Sequence, residues 1–269
     1  MNLSLKYRPN DFKDVCAQSS IIKILEQQIN TKQWVNAYLF SGPSGCGKTT
    51  IARILANKIN NGLGEPIEID AASNSGVDNV RQIIEEAGMR SLDSEYKIYI
   101  IDECHGLSNS AWQSFLKLIE EPPKYTIFMF CTTELQKVPE TIQNRCQQFR
   151  VTRVDNKLIE DRLIFICKNE GFSYTVDAIN QITKMSSGSV RQAITYLDKC
   201  KDYGDITINN VLEVLGTFSY DTYFNIVNAI IDKDEKTIVS IVDDLYSKGY
   251  DLKLFIDIFL DHLILLKYL

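Results

Sequence analysis

Through residue 151, short strand-like runs, three of them mainly apolar, alternate with segments whose apolar residues recur every three or four positions. The runs predict strands at Ala37–Ser41, Ile67–Asp70, Lys97–Asp102, Thr126–Cys131 and Gln147–Val151. The periodic segments predict helices over 48–60, from Val77 onward, and from the candidate N-cap Ser108 to the Pro122–Pro123 pair. Strands and helices that alternate at this length predict an α/β fold with a parallel sheet.

From residue 155 the pattern is wholly helical. It predicts helices near 155–169, 176–185, 189–200, 208–215 and 219–269. The stretch from Tyr250 to Leu269 is the most apolar, but Lys253, Asp257 and Asp261 fall on one face of it. This polar stripe favours a bundle or subunit-interface helix over a membrane span, so we expect no membrane partner.

The loop after the first predicted strand has the spacing G-x-x-x-x-G-K-T. Its residues, with the one that follows, are Gly42, Pro43, Ser44, Gly45, Cys46, Gly47, Lys48, Thr49 and Thr50. Glycines let backbone N–H groups approach phosphate oxygens closely, the lysine reaches the β- and γ-phosphates, and the hydroxyl holds Mg²⁺. Because a helix N-terminus follows and favours negative charge, the loop predicts binding of a nucleoside triphosphate rather than an inert turn.

Two adjacent acids end the third predicted strand, 54 residues after Lys48. Ligands of open α/β sheets bind outside the carboxyl ends of the strands, so this pair should face the phosphates. We expect Asp102 to hold Mg²⁺ with Thr49, and Glu103 to polarise the attacking water. Taken alone, two acids after a strand are equally consistent with a solvated turn, and the phosphate loop upstream favours the catalytic interpretation.

Charge and cysteine usage exclude several classes of protein. The net charge is −6, and residues 206–269 hold ten acidic and five basic side chains, so no basic tract marks a stand-alone nucleic-acid binder. The seven cysteines include no C-x-x-C pair, which is typical of a reducing cytoplasm and argues against disulfides and zinc. The N-terminus has no apolar signal segment, so secretion is not expected.

With these motifs in one order, the chain resembles the AAA+ ATPase subunit of bacterial clamp loaders, the gamma/tau family of DNA polymerase III. Besides the phosphate loop, the resemblance rests on Lys6–Pro9, Ile69–Gly76, Ile101–His105, Leu116–Pro123, Cys131–Thr133, Asn144–Cys146 and Gly188–Arg191. It implies a P-loop sheet domain over 1–153, a helical lid over 154–205 and a helical collar segment over 206–269.

The resemblance also implies roles for single residues. Thr133 matches sensor 1, which contacts the γ-phosphate or its water, and Arg191 matches sensor 2 on the lid. Arg145 matches the arginine that reaches into a neighbouring subunit's ATP site, and a planar, always-charged guanidinium suits charge that develops on a phosphoryl group. Tyr7, Arg8 and Pro9 match the segment near the adenine. We assign Trp112 and Phe115 to the core, and interpret His105 and His262 as structural histidines.

The chain departs from the family pattern in three places. Asn144 replaces the serine of the Ser-Arg-Cys motif, and Asn60–Pro66 stands where relatives carry a four-cysteine zinc module, so no zinc is expected. Residues 206–269 are also fewer than the family's collar domain, which suggests a partial collar or a compact or phage-type version.

The resemblance implies an ATPase that uses ATP and Mg²⁺ to load a sliding clamp onto primer-template DNA, together with other loader subunits. The alternatives are a non-hydrolysing subunit of the same assembly, which would usually lack Lys48 or the Asp102–Glu103 pair, and another DNA-acting AAA+ motor such as a branch-migration helicase. Asn144–Cys146 and Glu120–Pro123 favour the loader.

Overall fold

The computed structural model describes residues 2–73, 83, 85–215 and 220–247, and near the C-terminus 252, 255–256, 259–260 and 263–264. The chain forms two compact units. One comprises Met1–Arg162 and Ser186–Ile194, and the other comprises Leu163–Met185 and Thr195–Leu269. The three-part division at residues 153 and 205 stays a prediction.

The first unit is built on a parallel five-stranded sheet. Its strands are β1 (Ala37–Ser41), β2 (Ile67–Asp70), β3 (Lys97–Asp102), β4 (Thr126–Thr132) and β5 (Gln147–Arg150), in the order β2-β3-β4-β1-β5. Every pairing is parallel, which confirms the predicted α/β class. Ser41 lies opposite Thr132 and Asp70 opposite Asp102, so the strands end together at one edge.

Helices run along the whole described chain. In chain order they are α1 (Leu3–Lys6), α2 (Ser19–Thr31), α3 (Lys48–Ile59), α4 (Asn109–Glu120), α5 (Glu140–Gln143), α6 (Asn156–Glu170), α7 (Val176–Met185), α8 (Val190–Lys201), α9 (Ile208–Val214), α10 (Tyr220–Ile231) and α11 (Glu235–Ser247). Helix α2 was not predicted, although Ile21 and Leu25, four positions apart, are its buried residues. The helix predicted from Val77 lies largely outside the described residues.

Apolar side chains cover both faces of the sheet. Along β1, Tyr38 and Phe40 join a cluster with residues of α2 and α3, while Leu39 points into a second cluster. Trp112 and Phe115 of α4 are buried in that second cluster, as predicted. A sheet covered on both faces explains why its central strands are almost continuously apolar.

The second unit is helical in its described part. Helices α7 and α9 pack together, as do α10 and α11. Tyr223 stacks on Phe255 with ring centroids 5.3 Å apart, and Phe259 continues the stack. No helix within the described ranges is long and apolar enough to cross a membrane. Lys253, Asp257 and Asp261, the polar stripe of the sequence, lie outside the described residues.

Candidate functional site

The phosphate loop joins β1 to α3 with three glycines at positive φ: Gly42 at 146°, Gly45 at 72° and Gly47 at 106°. A Cβ at Gly42 would collide with the carbonyl oxygen of Val151, and one at Gly45 with the hydroxyl of Ser189. At Gly47 a Cβ would meet no heavy atom of the described residues within 4 Å. Packing therefore requires glycine at two positions, and the backbone conformation requires it at all three.

Lys48 opens helix α3, and its side chain turns back over the loop. The Nζ donates to the carbonyl oxygens of Gly42 and Pro43, 3.0 Å from each, and the residue is only 6% exposed. The ammonium therefore lies at the helix N-terminus, where unpaired backbone amides and the helix dipole also favour an anion.

Thr49 and Asp102 meet between the helix and the sheet. The Thr49 hydroxyl donates to Asp102 Oδ2 at 2.8 Å, and Asp102 Oδ1 accepts from the backbone N–H of Glu103 at 3.1 Å. A hydroxyl beside a carboxylate is the hard-oxygen donor set that Mg²⁺ takes when phosphates and water complete its coordination. These residues fit a magnesium ion.

Glu103 adopts a left-handed conformation, φ 46° and ψ 43°, directly after β3. Its Oε2 accepts hydrogen bonds from the Thr133 backbone N–H at 3.3 Å and from the Thr133 hydroxyl at 3.0 Å. A left-handed backbone is uncommon for a residue with a side chain, and such residues cluster at functional sites. Neighbouring strand ends thus bring together the two residues predicted to contact the attacking water.

A cavity of about 310 Å³ lies within the first unit, over the phosphate loop. Its lining includes predicted residues from four segments, namely Tyr7, Arg8, Pro9, Ser44, Gly45, Cys46, Gly47, Lys48, Thr49, Thr50, Asp102, Glu103 and Arg191. Four lining side chains are cationic and two are acidic, although the chain as a whole carries −6. This local excess of positive charge favours a polyanionic ligand.

The cavity lining also includes residues that the sequence analysis missed. Apolar side chains of Val15, Val190 and Ile194 line it, as does Arg162, whose guanidinium donates to the Tyr7 carbonyl at 2.8 Å. This bond ties the Tyr7–Pro9 segment to helix α6. Nothing in the local sequence around Arg162 marks it, because its partner is a backbone atom 155 residues away.

Neighbouring charges affect the pKa of Arg8, one of the cations that line the cavity. Burial, followed by the neighbouring charges of Arg53 and Arg191, lowers the pKa of Arg8, although Glu68 and Asp102 act in the opposite direction. Arg191 comes from the Ser186–Ile194 segment, and its backbone N–H donates to the Gly45 carbonyl at 3.3 Å. The predicted sensor 2 residue therefore lies directly against the phosphate loop.

The thiol of Cys46, within the loop, contacts backbone carbonyl oxygens. Its thiol lies 3.5 Å from the Gly188 carbonyl oxygen, and burial raises its pKa despite the nearby Lys48. All seven cysteines fall within the described ranges and are free thiols.

Arg145 lies apart from this cavity. It follows α5, where its guanidinium contacts Glu120 Oε1 at 2.6 Å and donates to the Thr141 carbonyl at 2.9 Å. The two charged side chains are about equally exposed, at 40% and 43%. Among the described residues Arg145 contributes nothing to the cavity lining, whereas Thr133 reaches the cavity through Glu103.

His105, which was interpreted as a structural histidine, contacts the site. Its Nδ1 lies 3.1 Å from the Thr132 hydroxyl and 3.3 Å from Glu103 Oε2, and its Nε2 lies 3.3 Å from Glu134 Oε1. The pKa of Glu134 is lowered, mainly by a hydrogen bond from Lys137 and to a smaller extent by the His105 charge. His262 lies outside the described residues.

Two family models match the chain. One, described as DNA polymerase III, delta subunit, matches residues 66–155, and the other, described as DNA polymerase III subunits gamma and tau domain III, matches residues 206–269.

Individual relatives extend this similarity. The chain is 34% identical to DNA polymerase III subunit gamma/tau of Mycoplasma genitalium, over 93% of this chain and 46% of that protein. It is 30% identical to DNA polymerase III subunit gamma of Buchnera aphidicola subsp. Schizaphis graminum, over 98% of this chain and 80% of that one. The chain thus spans about half the length of the Mycoplasma relative.

The fold also resembles that of a solved structure. The Thermotoga maritima RuvB Holliday junction branch migration motor superposes with a TM-score of 0.64 and 18% identity, covering 83% of this chain and 79% of that one. At this identity the likeness concerns the fold alone, a parallel α/β sheet domain with a helical region.

Proposed function

We propose that this chain, which belongs to the DNA polymerase III gamma/tau family, is an ATP-hydrolysing subunit of an assembly that loads a sliding clamp onto primed DNA. The observation that carries the proposal is the contact of Thr49 with Asp102 beside the phosphate loop. Next to it, the contact of Glu103 with Thr133 supplies the groups that phosphoryl transfer to water requires.

Binding of ATP would use the loop, the helix N-terminus and the cations around the cavity. Lys48 would exchange its two carbonyl partners for phosphate oxygens, and the loop N–H groups would donate to the same phosphates. Thr49 and Asp102 would hold Mg²⁺, which when bound neutralises charge on the phosphates. The segment Tyr7–Pro9 and the apolar residues near it would take the base.

Hydrolysis would depend on Glu103. Its carboxylate is the acceptor that could orient a water molecule and take its proton, and Thr133 holds one carboxylate oxygen at 3.0 Å. Arg191, anchored against Gly45 by its backbone N–H, would contact the phosphates as sensor 2. The chain retains both Lys48 and Glu103, which favours an active subunit over a non-hydrolysing one.

Two features support assembly with other subunits. Arg145 is exposed and directly precedes the edge strand β5, where it could reach a neighbour's nucleotide. Helix α11 exposes Val239, Val242 and Tyr246, at 58%, 37% and 73%, and their spacing of three and four places them on one face. Exposed apolar side chains that share a face are typical of an interaction surface, and residues 206–269 match domain III of gamma and tau.

ATP can drive clamp loading only by binding more tightly to one state of the assembly than to another. We infer that the state with ATP grips the clamp and DNA, and that hydrolysis releases them. The likeness to RuvB concerns the fold alone and does not favour a branch-migration motor, because the sequence similarity is to gamma and tau.

The test is co-purification with candidate sliding clamps, with and without ATP–Mg²⁺. We expect ATP to increase clamp capture by the assembled chain, Glu103→Gln to trap the captured state, and Lys48→Ala to remove the response to ATP. Clamp capture that is unchanged by ATP and by both substitutions, in an assembly that binds ATP, would contradict the proposed function.

A further inference from the structure

His105 connects two carboxylates that come from different strand ends. Glu103 follows β3, and Glu134 lies in the loop after β4. The imidazole lies between them, with Nδ1 3.3 Å from Glu103 Oε2 and Nε2 3.3 Å from Glu134 Oε1. Its side chain is 20% exposed, and the two carboxylate side chains are 35% and 36% exposed. The three groups form one partly buried cluster at the edge of the cavity.

We propose that His105 is a positioning residue for Glu103, which it holds relative to the loop after β4. The inference rests on the proposed function of Glu103 as the residue that orients water. His105 itself does not line the cavity that the described residues form, so it acts through Glu103 rather than on the ligand.

Hydrogen-bonding capacity explains why histidine suits this position. An imidazolium donates from both nitrogens and can serve both carboxylates, whereas a neutral ring donates from one nitrogen only. Thr132 supplies a further anchor, because its hydroxyl lies 3.1 Å from Nδ1 and also accepts from the Glu134 backbone N–H at 3.0 Å. The ring is thus fixed by β4 and by the loop that follows it.

The same contacts restrict Glu103. One of its oxygens, Oε2, faces both His105 and Thr133, so the carboxylate is oriented from two sides. The other oxygen, Oε1, is the natural acceptor for water. Loss of the ring would leave Glu103 Oε2 held from one side, by Thr133, and allow the carboxylate to rotate. A small misplacement of a reacting group can cost about 10²-fold in rate.

The first experiment measures the contact without hydrolysis. The chain contains two histidines, so ¹⁵N NMR of the imidazole nitrogens of the full chain gives two sets of signals, which His105→Asn assigns. We expect Glu103→Gln and Glu134→Gln each to shift the His105 signals and leave those of His262 in place. Lys137→Ala, which removes the other partner of Glu134, is the matched control and should have a smaller effect. His105 signals that neither glutamine variant moves would overturn the proposal.

The second experiment measures the role, by single-turnover ATP hydrolysis with the full chain in excess. We expect His105→Ala to slow hydrolysis about tenfold while ATP affinity stays unchanged. Asparagine places an amide near the position of Nδ1, and glutamine near that of Nε2. His105→Asn should therefore recover most of the rate, and His105→Gln should not.

A double-mutant cycle separates positioning from general stability. If His105 acts through Glu103, His105→Ala has no further effect on the rate in a Glu103→Gln background. A purely structural histidine would lower the rate by the same factor in both backgrounds and lower the melting temperature, and this result would refute the inference. A wild-type chain that binds ATP and never hydrolyses it would contradict the proposed function instead, and the NMR signals would then decide on the contact alone.

Discussion

The cavity over the phosphate loop and the sheet edge at Arg145, just before the edge strand β5, both present charged side chains, but these side chains are held in different ways. Around the phosphate loop, Lys48 and Thr49 are buried, at 6% and 8% exposed, and their partners are backbone carbonyls and Asp102. At the sheet edge, Arg145 and Glu120 are 40% and 43% exposed and pair mainly with each other.

This difference shows which interactions are set within the chain and which are available to a partner. Buried charges that are hydrogen-bonded on several sides are costly to disturb. An exposed ion pair contributes only about 0.2–1 kcal/mol and is screened by salt, so Arg145 can exchange Glu120 for another anion at little cost. The cavity is therefore a preformed site, and the sheet edge is suited to an interface.

The largest expected effect is in the cavity. We predict that Lys48→Ala abolishes ATP–Mg²⁺ binding by the isolated chain and leaves the fold intact, because the ammonium is the buried cation at the helix N-terminus. Isothermal titration calorimetry measures the affinity, and circular dichroism checks the fold. Lys58→Ala is the matched control, since Lys58 lies on the same helix and pairs with Asp11. Equal affinity in the Lys48 and Lys58 variants would remove the loop from its proposed role.

At the sheet edge we predict an effect on rate that acts between subunits. Arginine fingers contribute about 10³–10⁵ in rate, so Arg145→Ala should reduce hydrolysis strongly in the assembly and leave ATP affinity unchanged. When the Arg145→Ala chain is mixed with the Lys48→Ala chain, some interfaces combine an intact loop with an intact arginine, and activity should return above that of either variant. Should co-assembled mixtures stay inactive, Arg145 acts within its own chain or only structurally.

A smaller effect concerns the helix that carries Glu120. The Ser108 hydroxyl caps α4 by accepting from the Ala111 N–H at 3.2 Å. We predict that Ser108→Ala lowers the free energy of unfolding by about 1 kcal/mol, because one backbone donor at the helix N-terminus loses its partner. Chemical denaturation measures the change. Ser110→Ala, in the first turn of the same helix, is the control and should have less effect, as it removes no cap.

The smallest effect is expected from the ion pair itself. Glu120→Gln should change the unfolding free energy by less than Ser108→Ala, because an exposed pair contributes only about 0.2–1 kcal/mol. Its effect on hydrolysis by the assembly should be at most about fivefold and should vanish in high salt, which screens the pair. A loss as large as that of Arg145→Ala would mean that Glu120 is essential to the arginine, and that the edge is as rigid as the cavity.

Local patterns in the chain predicted most of the fold. The strands β1 and β3 have the predicted bounds, because buried parallel strands are continuous apolar runs that end at polar residues. The edge strand β2, which is mostly exposed, also has the predicted bounds. Helix α4 begins after the predicted cap and ends before the predicted proline pair. Helices α1, α2 and α5 were missed. Helices α1 and α2 precede the first strand, and α5, which lies between β4 and β5, has only four residues and so shows no helical period.

In the candidate site, too, some residues were predicted from the sequence and others were not. The phosphate loop and the Asp102–Glu103 pair were found from sequence, because their chemistry is compressed into adjacent residues with a fixed spacing. Arg162 and His105 were not, because their partners come from other segments: the Tyr7 carbonyl for one, Glu134 and Thr132 for the other. Neither residue type is informative without its partner.

The class of sheet, the phosphate loop and the acids beside it could be read from the sequence, since each depends on side chains close together in the chain. The contacts of Glu103 with Thr133 and His105, and the pairing of Arg145 with Glu120 outside the cavity, become visible only in the folded chain. These contacts depend on the order β2-β3-β4-β1-β5, which brings the end of β4 between those of β3 and β1. Strand order is set by the packing of the whole sheet, and no local stretch of sequence encodes it.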